Sequence, residues 1–283
     1  MALGILPVIL FSLSMVPPPV DVSLTLPLLG RPHYPWPQLR GLLEWLLAIG
    51  PSNAVLLSAS EQQAPNGFQS LADVMKISIE ASGPPPASGP LVVVANHPYG
   101  GVDGPALGSW LVRFRPDTLF IANETVARIP VLTPYVLPVD VFGRKEKIAD
   151  NARALRTAFT HLRKGGALMA FPSGTVSHWQ HKLKRVADPE WNPSVFELAR
   201  RTGAAIQPVG LEGRNGPFFQ WLGRIHPMLR TMYLPRCFMA CLGKTFRLNA
   251  GESIPVAELQ ACRDGLEVSK MVRERVEKLS SGN

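Results

Sequence analysis

From residue 91 onward the sequence predicts an α/β fold, a mixed, mostly parallel sheet flanked by helices. Three observations carry that prediction. Short apolar runs of strand length recur at 91–95 (LVVVA), 118–122 (TLFIA), 135–141 (YVLPVDV), 167–171 (ALMAF) and 205–211 (AIQPVGL). Segments of helical period and length, 104–114, 144–164 and 193–202, separate them. This alternation of short apolar strands with helices is the mark of a mixed or mostly parallel sheet flanked by helices. The chain of 283 residues suits one large domain with its own core.

Residues 2–16 (ALGILPVILFSLSMV) are apolar and the first charge is Asp21. A spanning helix needs about 20 apolar residues. This run is shorter, contains Pro7 and ends at Pro17-Pro18-Pro19, and no basic stretch precedes it as in a secretory signal. It reads as a monotopic membrane-dipping segment within an apolar, Pro-rich lead over 1–36. Residues 37–50 (PQLRGLLEWLLAIG) place leucines at helical spacing before Gly50, a second candidate membrane contact. Residues 81–90 (ASGPPPASGP) are loop by composition. After the last strand, TFRLNA (245–250) adds an edge strand. The segment from Pro255 to Leu279, with Val268, Val272, Val276 and Leu279 on one face, makes a C-terminal amphipathic helix. The lead at 1–36 is thus followed by one domain over 37–283, its core at about 88–250.

Charge is unevenly placed. Residues 1–141 carry 6 basic and 9 acidic side chains, and residues 142–283 carry 23 and 12. The basic half calls for an anionic partner. No nucleic-acid-binding signature accompanies it, so a membrane surface or an acidic substrate or carrier fits better than nucleic acid. Cys237, Cys241 and Cys262 have no metal-ligand spacing and are odd in number, which indicates neither a zinc site nor a disulfide framework and suits a reducing compartment.

The strongest chemical signal is VVVANHPYGGVDGPAL (92–107). A strand delivers His97 to a glycine-bearing turn, and Asp103 opens a helix whose first amides its carboxylate can cap. A carboxylate that binds the Nδ1 proton fixes the imidazole tautomer and leaves Nε2 to take a proton. No G-x-S-x-G elbow occurs and no cysteine stands in a strand-to-helix turn, so the hydroxyl to be activated is expected on the substrate. The plainer alternative is a histidine satisfied by a capping aspartate.

Asn96-His97 followed by Asp103 resembles the His-x4-Asp block of the glycerolipid (lysophosphatidate) acyltransferase superfamily. FPSG (171–174) resembles its Phe-Pro-Glu-Gly block, DVFGR (140–144) stands where its arginine-bearing block stands, and IQPVGL (206–211) is similar to its fourth block. The resemblance spans roughly residues 88–250 and is nearest to a hemolysin-like bacterial branch with NHPxGGxDG, FPxGxVS, GRN-type and HPxLR-type segments. The last two are here 213–215 and 226–230. Two departures stand out: five residues rather than four separate His97 from Asp103, and the third-block glutamate is missing, with Thr175 after the glycine. Gly100-Gly101 can loop out the extra residue, since glycine reaches positive φ without steric cost.

The resemblance implies transfer of a fatty acyl group from acyl-CoA or acyl carrier protein to a lysolipid hydroxyl, 1-acylglycerol-3-phosphate or a related lysophospholipid. His97 and Asp103 would be catalytic, and Asn96, Arg144, Pro172, Ser173, Gly174, Thr175 and Arg214 would bind substrate. Arg144 would meet the acceptor head group and the FPSG loop would shape its pocket. No metal or cofactor is implied, and the expected place is the cytoplasmic face of the inner or plasma membrane. The alternatives are a lyso-aminolipid (lyso-ornithine-type) O-acyltransferase, a thioesterase or lysophospholipase, and a non-catalytic membrane-bound relative.

Overall fold

The computed structural model describes residues 37–62, 64–140 and 147–281. The predicted lead at 1–36 and the block carrying Arg144 (all but Asp140) lie outside the described residues. Seven strands form the main sheet: β1 (Ser78–Ala81), β2 (Leu91–Ala95), β3 (Thr118–Asn123), β4 (Val136–Val139), β5 (Ala167–Ala170), β8 (Ala205–Leu211) and β9 (Thr245–Ala250). Their order is β1-β9-β8-β2-β5-β3-β4, and every neighbouring pair is parallel except β8 with β9. A separate hairpin pairs β6 (His178–Gln180) with β7 (Arg185–Ala187). The predicted α/β architecture is therefore the one observed.

Strand β2 is central and wholly buried. Leu91, Val93 and Ala95 join one core with Phe68, Leu107, Leu111 and Phe120, while Val92 and Val94 join a second with Leu162, Phe196, Ile206 and Val272. Because successive side chains point to opposite faces, a strand covered on both sides has no polar positions, and LVVVA reads as an unbroken apolar run.

The first face is covered by α3 (Gly67–Val74) and α4 (Asp103–Leu111), the second by α6 (Ile148–Arg163), α7 (Ser194–Thr202) and α12 (Gly265–Ser280). Before them run α1 (Pro37–Leu46) and α2 (Ile49–Ser58); α5 (Glu124–Ala127) follows β3. Between β8 and β9 lie α8 (Pro217–Ile225), α9 (Pro227–Met232) and α10 (Leu234–Met239), and α11 (Val256–Ala261) precedes α12.

Three expectations need correction. TFRLNA is no edge strand: β9 lies between β8 and β1, and the short, largely exposed β1 takes the edge. The helix expected over 37–50 is two helices, because Ala48 adopts a left-handed φ of 56° that ends the first and sets off the second. The C-terminal helix is likewise interrupted. Asp264 accepts hydrogen bonds from the Leu266 and Glu267 amides and starts α12 afresh, as an N-cap should. Val268, Val272 and Val276 are buried as the pattern required.

Candidate active site

The carboxyl ends of β2, β5 and β8 point the same way, and the loops leaving them converge, as they do in open α/β sheets. Asn96, directly after β2, donates from its side-chain amide to the Leu211 carbonyl at 2.9 Å and accepts the Leu211 amide at 2.7 Å. It fastens the ends of β2 and β8 together and so fixes where the next residue emerges. Both of its polar groups take part in that clamp, which gives Asn96 a positioning task.

The next residue is His97. Its Nδ1 lies 2.8 Å from Asp103 Oδ2, and the same oxygen accepts the Tyr99 and Gly100 amides at 2.9 Å each. An oxygen accepting from two amides must accept from the ring as well, so Nδ1 carries the proton and Nε2 presents its lone pair. Nε2 has no hydrogen-bond partner among the described residues. Asp103 is fully buried and His97 is 19% exposed, so the ring alone reaches solvent or a substrate.

The turn that achieves this uses the extra residue of the spacing. Gly100 takes φ 96°, its carbonyl accepts the Asp103 amide at 3.1 Å, and a Cβ there would crowd Val176 and Leu234. The expected pairing is thus observed, but Asp103 does not cap α4. Its carboxylate faces back along the turn to Tyr99 and Gly100. The other oxygen, Oδ1, is buried without a partner among the described residues. Such an oxygen costs roughly 1–3 kcal/mol, which the three bonds to Oδ2 offset.

Phe171, at the end of β5, stacks on the imidazole at 4.4 Å with an 18° interplanar angle and meets Phe120 edge-on at 5.8 Å. The FPSG loop is therefore joined to His97 through its first ring. A second tie is the Ser177 amide, which donates to the His97 carbonyl at 2.7 Å. Within the loop the Ser173 hydroxyl donates to the Thr175 carbonyl at 2.9 Å, Gly174 takes φ 62° with its amide on the Phe171 carbonyl, and the Pro172 carbonyl accepts the Asn192 amide. Ser173 and Gly174 shape the turn by these bonds. The amides of Tyr99, Gly100 and Gly174 are all engaged, so the glycine turns offer none of these three to an oxyanion.

One acid escaped the sequence reading. Asp188, in the turn after β7, accepts the His97 amide at 3.2 Å and the Ser177 hydroxyl on one oxygen and Trp191 Nε1 at 2.9 Å on the other. Burial raises its carboxyl above the ordinary value, and its bonds to Ser177, Trp191 and His97 counter part of that rise. Nothing in ADPEWNP distinguishes it from a surface turn. Tyr99 was equally unforeseen: its carbonyl accepts Asn215 Nδ2 at 3.1 Å, the Arg214 backbone hydrogen-bonds its hydroxyl, and a Cβ on Gly213 (φ 101°) would overlap that hydroxyl. Burial raises the Tyr99 phenol above its ordinary value.

Arg214 itself is exposed. It lines a cleft of about 310 Å³ with Asn96, Asp188, Arg185 and Arg273, set against the backbone of the His97 loop and not lined by the imidazole. His161, His178 and His226 each bond backbone groups of their own neighbourhood, in keeping with structural roles. Cys237 and Cys241 are buried, and desolvation pushes their thiols up to about 12 and about 11. Among the described residues no cluster of side chains could hold a metal ion.

Residues 77–281 match the family model described as Acyltransferase. Two curated relatives are each named lyso-glycine lipid O-acyltransferase. The one from Phocaeicola vulgatus is 26% identical over 211 residues, covering 72% of this chain and 73% of its own. The one from Bacteroides thetaiotaomicron is 26% identical over 201 residues, covering 69% and 71%. Among solved structures, the 1-acyl-sn-glycerophosphate (LPA) acyltransferase PlsC from Thermotoga maritima aligns over 85% of this chain and 92% of that one, with 17% identity and a TM-score of 0.47.

Proposed function

The chain belongs to the acyltransferase family, and from that premise we propose that it is a lysolipid O-acyltransferase in which His97 is the general base. The observation that carries this reading is the imidazole anchored at Nδ1 by a buried Asp103 and unpartnered at Nε2 among the described residues. Nε2 takes the proton of the lysolipid hydroxyl as that oxygen attacks the thioester carbonyl of acyl-CoA or acyl carrier protein. The C–O bond forms, the C–S bond breaks, and the thiolate leaves with the proton returned to it. Asp103 keeps the ring in the competent tautomer and stabilises the imidazolium while it exists. Phe171 and Asn96 hold the ring plane and the strand end, and no cofactor takes part.

Both curated relatives are named for a lyso-glycine lipid, which favours an acceptor of the lyso-aminolipid kind over 1-acylglycerol-3-phosphate. Either acceptor offers an acidic group, a carboxylate or a phosphate, and Arg144, by its place in the sequence, is the residue proposed to meet that group through a guanidinium fork. The enzyme would work on a membrane surface. No described helix is long and apolar enough to cross a bilayer, but Leu42, Trp45 and Leu46 on α1 stand 51%, 70% and 45% exposed.

The test supplies purified enzyme with an acyl thioester and, separately, lyso-glycine lipid, 1-acylglycerol-3-phosphate or no acceptor. Diacylated product from one lysolipid, with little free fatty acid in its absence, is the expected result. Free fatty acid released at full rate without acceptor would make the protein a hydrolase instead.

A further inference from the structure

Residues 213–251 contain six basic side chains, Arg214, Arg224, Arg230, Arg236, Lys244 and Arg247, and no acidic one. Helix α8 within this stretch has two apolar faces. Phe219 points inward, fully buried with Val176 and Cys237. Phe218, Trp221 and Ile225, at spacings of three and four, point outward at 52%, 54% and 56% exposure, and Met228 on α9 prolongs the row at 39%. Helical spacing of apolar residues ordinarily marks the face turned to the core. Here the core is already served by the other face.

The outward row is ordered rather than loose. The rings of Phe218 and Trp221 stack at 5.6 Å, and Phe218 meets Tyr233 edge-on at 5.0 Å. Beside it the Arg224 guanidinium lies 4.4 Å over the Trp179 ring, and the His226 ring accepts the Met228 amide to start α9. The α10 helix then leads back to α1 and α2: Arg236 Nη1 donates to the Leu46 carbonyl of α1 at 3.1 Å, and the Pro235 carbonyl accepts the Ser52 hydroxyl of α2 at 3.1 Å.

We propose that α8 and α9 form an interfacial element that lies in the headgroup–acyl boundary of an anionic bilayer, with Phe218, Trp221, Ile225 and Met228 immersed and the arginines around them at the phosphates. Charge decides the occupant. Aromatic and aliphatic side chains rimmed by arginine, without acid, are what an anionic lipid surface binds. A second copy of the chain meeting the same face through a two-fold axis would set the arginines of α8–α10, Arg224, Arg230 and Arg236, against their own copies. The position also has a use, which rests on the lysolipid reading. Phe219 and Leu234 pack with Val176, and the Leu234 and Val176 side chains are what a Cβ on Gly100 of the His97 turn would meet. The element that touches the membrane would thus carry the catalytic loop on its inner side.

The experiment floats the purified full chain with vesicles of phosphatidylcholine with and without about 30% phosphatidylglycerol, comparing wild type with the double variant Trp221→Ser, Ile225→Ser and with Arg224→Gln, Arg236→Gln. Partition onto the anionic vesicles should fall at least about tenfold in the first variant, with the melting temperature unchanged because the replaced side chains are exposed. In the second it should fall and lose its salt sensitivity. Wild-type partition in the serine variant would overturn the proposal. So would a dimer, detected by sedimentation, that dissociates in that variant while vesicle binding persists. Vesicle binding is read without any acyl transfer, so a protein that binds vesicles but transfers no acyl group would contradict the enzymatic reading and leave this one standing.

Discussion

Replacing Asp103 by asparagine separates the charge of the carboxylate from its shape. In the native site Oδ2 accepts three hydrogen bonds, at 2.8, 2.9 and 2.9 Å, and Oδ1 accepts none among the described residues. An asparagine that keeps its oxygen in the Oδ2 position retains all three as neutral bonds and puts its NH2 where Oδ1 lay. That NH2 is buried without an acceptor, at a cost of roughly 1–3 kcal/mol. The flipped amide would oppose donors to the Tyr99 and Gly100 amides, so it is the worse arrangement. The melting temperature should therefore drop by roughly 2–12 °C with the fold kept. The rate should suffer far more, because a neutral acceptor does not stabilise the imidazolium. We expect kcat to fall by about 10²-fold or more, toward the 10²–10⁴ that general-base catalysis supplies, with KM for both substrates little changed. The assay is steady-state transfer with each substrate varied in turn, alongside thermal unfolding. A kcat within about threefold of wild type would refute the reasoning, since Asp103 would then be only a brace for the turn.

Asp188→Asn should destabilise the chain and lower activity together, because three donors converge on two oxygens and an amide satisfies fewer of them. Burial raises the Asp188 carboxyl, so the folded state holds that proton more tightly than the unfolded chain. Its contribution to stability is full below the unfolded value and is lost as pH rises through the folded one; the melting-temperature advantage of wild type over the variant should thus widen as pH falls from neutral toward acid. Gly213→Ala should reduce transfer while the protein still folds, since it forces a side chain into φ 101° and onto the Tyr99 hydroxyl; unchanged activity would detach Tyr99 from the site. Arg144→Ala should weaken acceptor use by about 10- to 150-fold with the thioester KM nearly unmoved, and Arg144→Lys should recover only part. Equal damage to both substrates would argue for a folding role.

What the sequence made legible follows from how local each signal is. The strands β2 and β5 are unbroken apolar runs because both faces are covered, β8 departs from that only at the buried Gln207, and His97 and Asp103 stand within one turn of each other, so motif and geometry coincide. The edge strand β1, SIEA, is largely exposed and shows no such run, so the sequence offers β9 as the last recognisable strand. The α8–α10 helices are short and rich in proline at their starts, and their period does not emerge from a window of ordinary length. Asp188 reaches His97 across 91 residues of chain. No local pattern encodes such a contact; only the closure of β6 against β7 and the packing of Trp191 bring it in. The same holds for the clamp between Asn96 and Leu211, which spans 115 residues of chain.

The central claim is that His97 accepts the proton of the acceptor hydroxyl, and the most direct measurement is single-turnover acyl transfer by His97→Ala with lysolipid and thioester both saturating. The account predicts loss of about 10²–10⁴ in the chemical step, with the fold kept and vesicle binding unchanged, since the Tyr99 and Gly100 amides still hold Asp103. Transfer by His97→Ala at a near wild-type rate would contradict it.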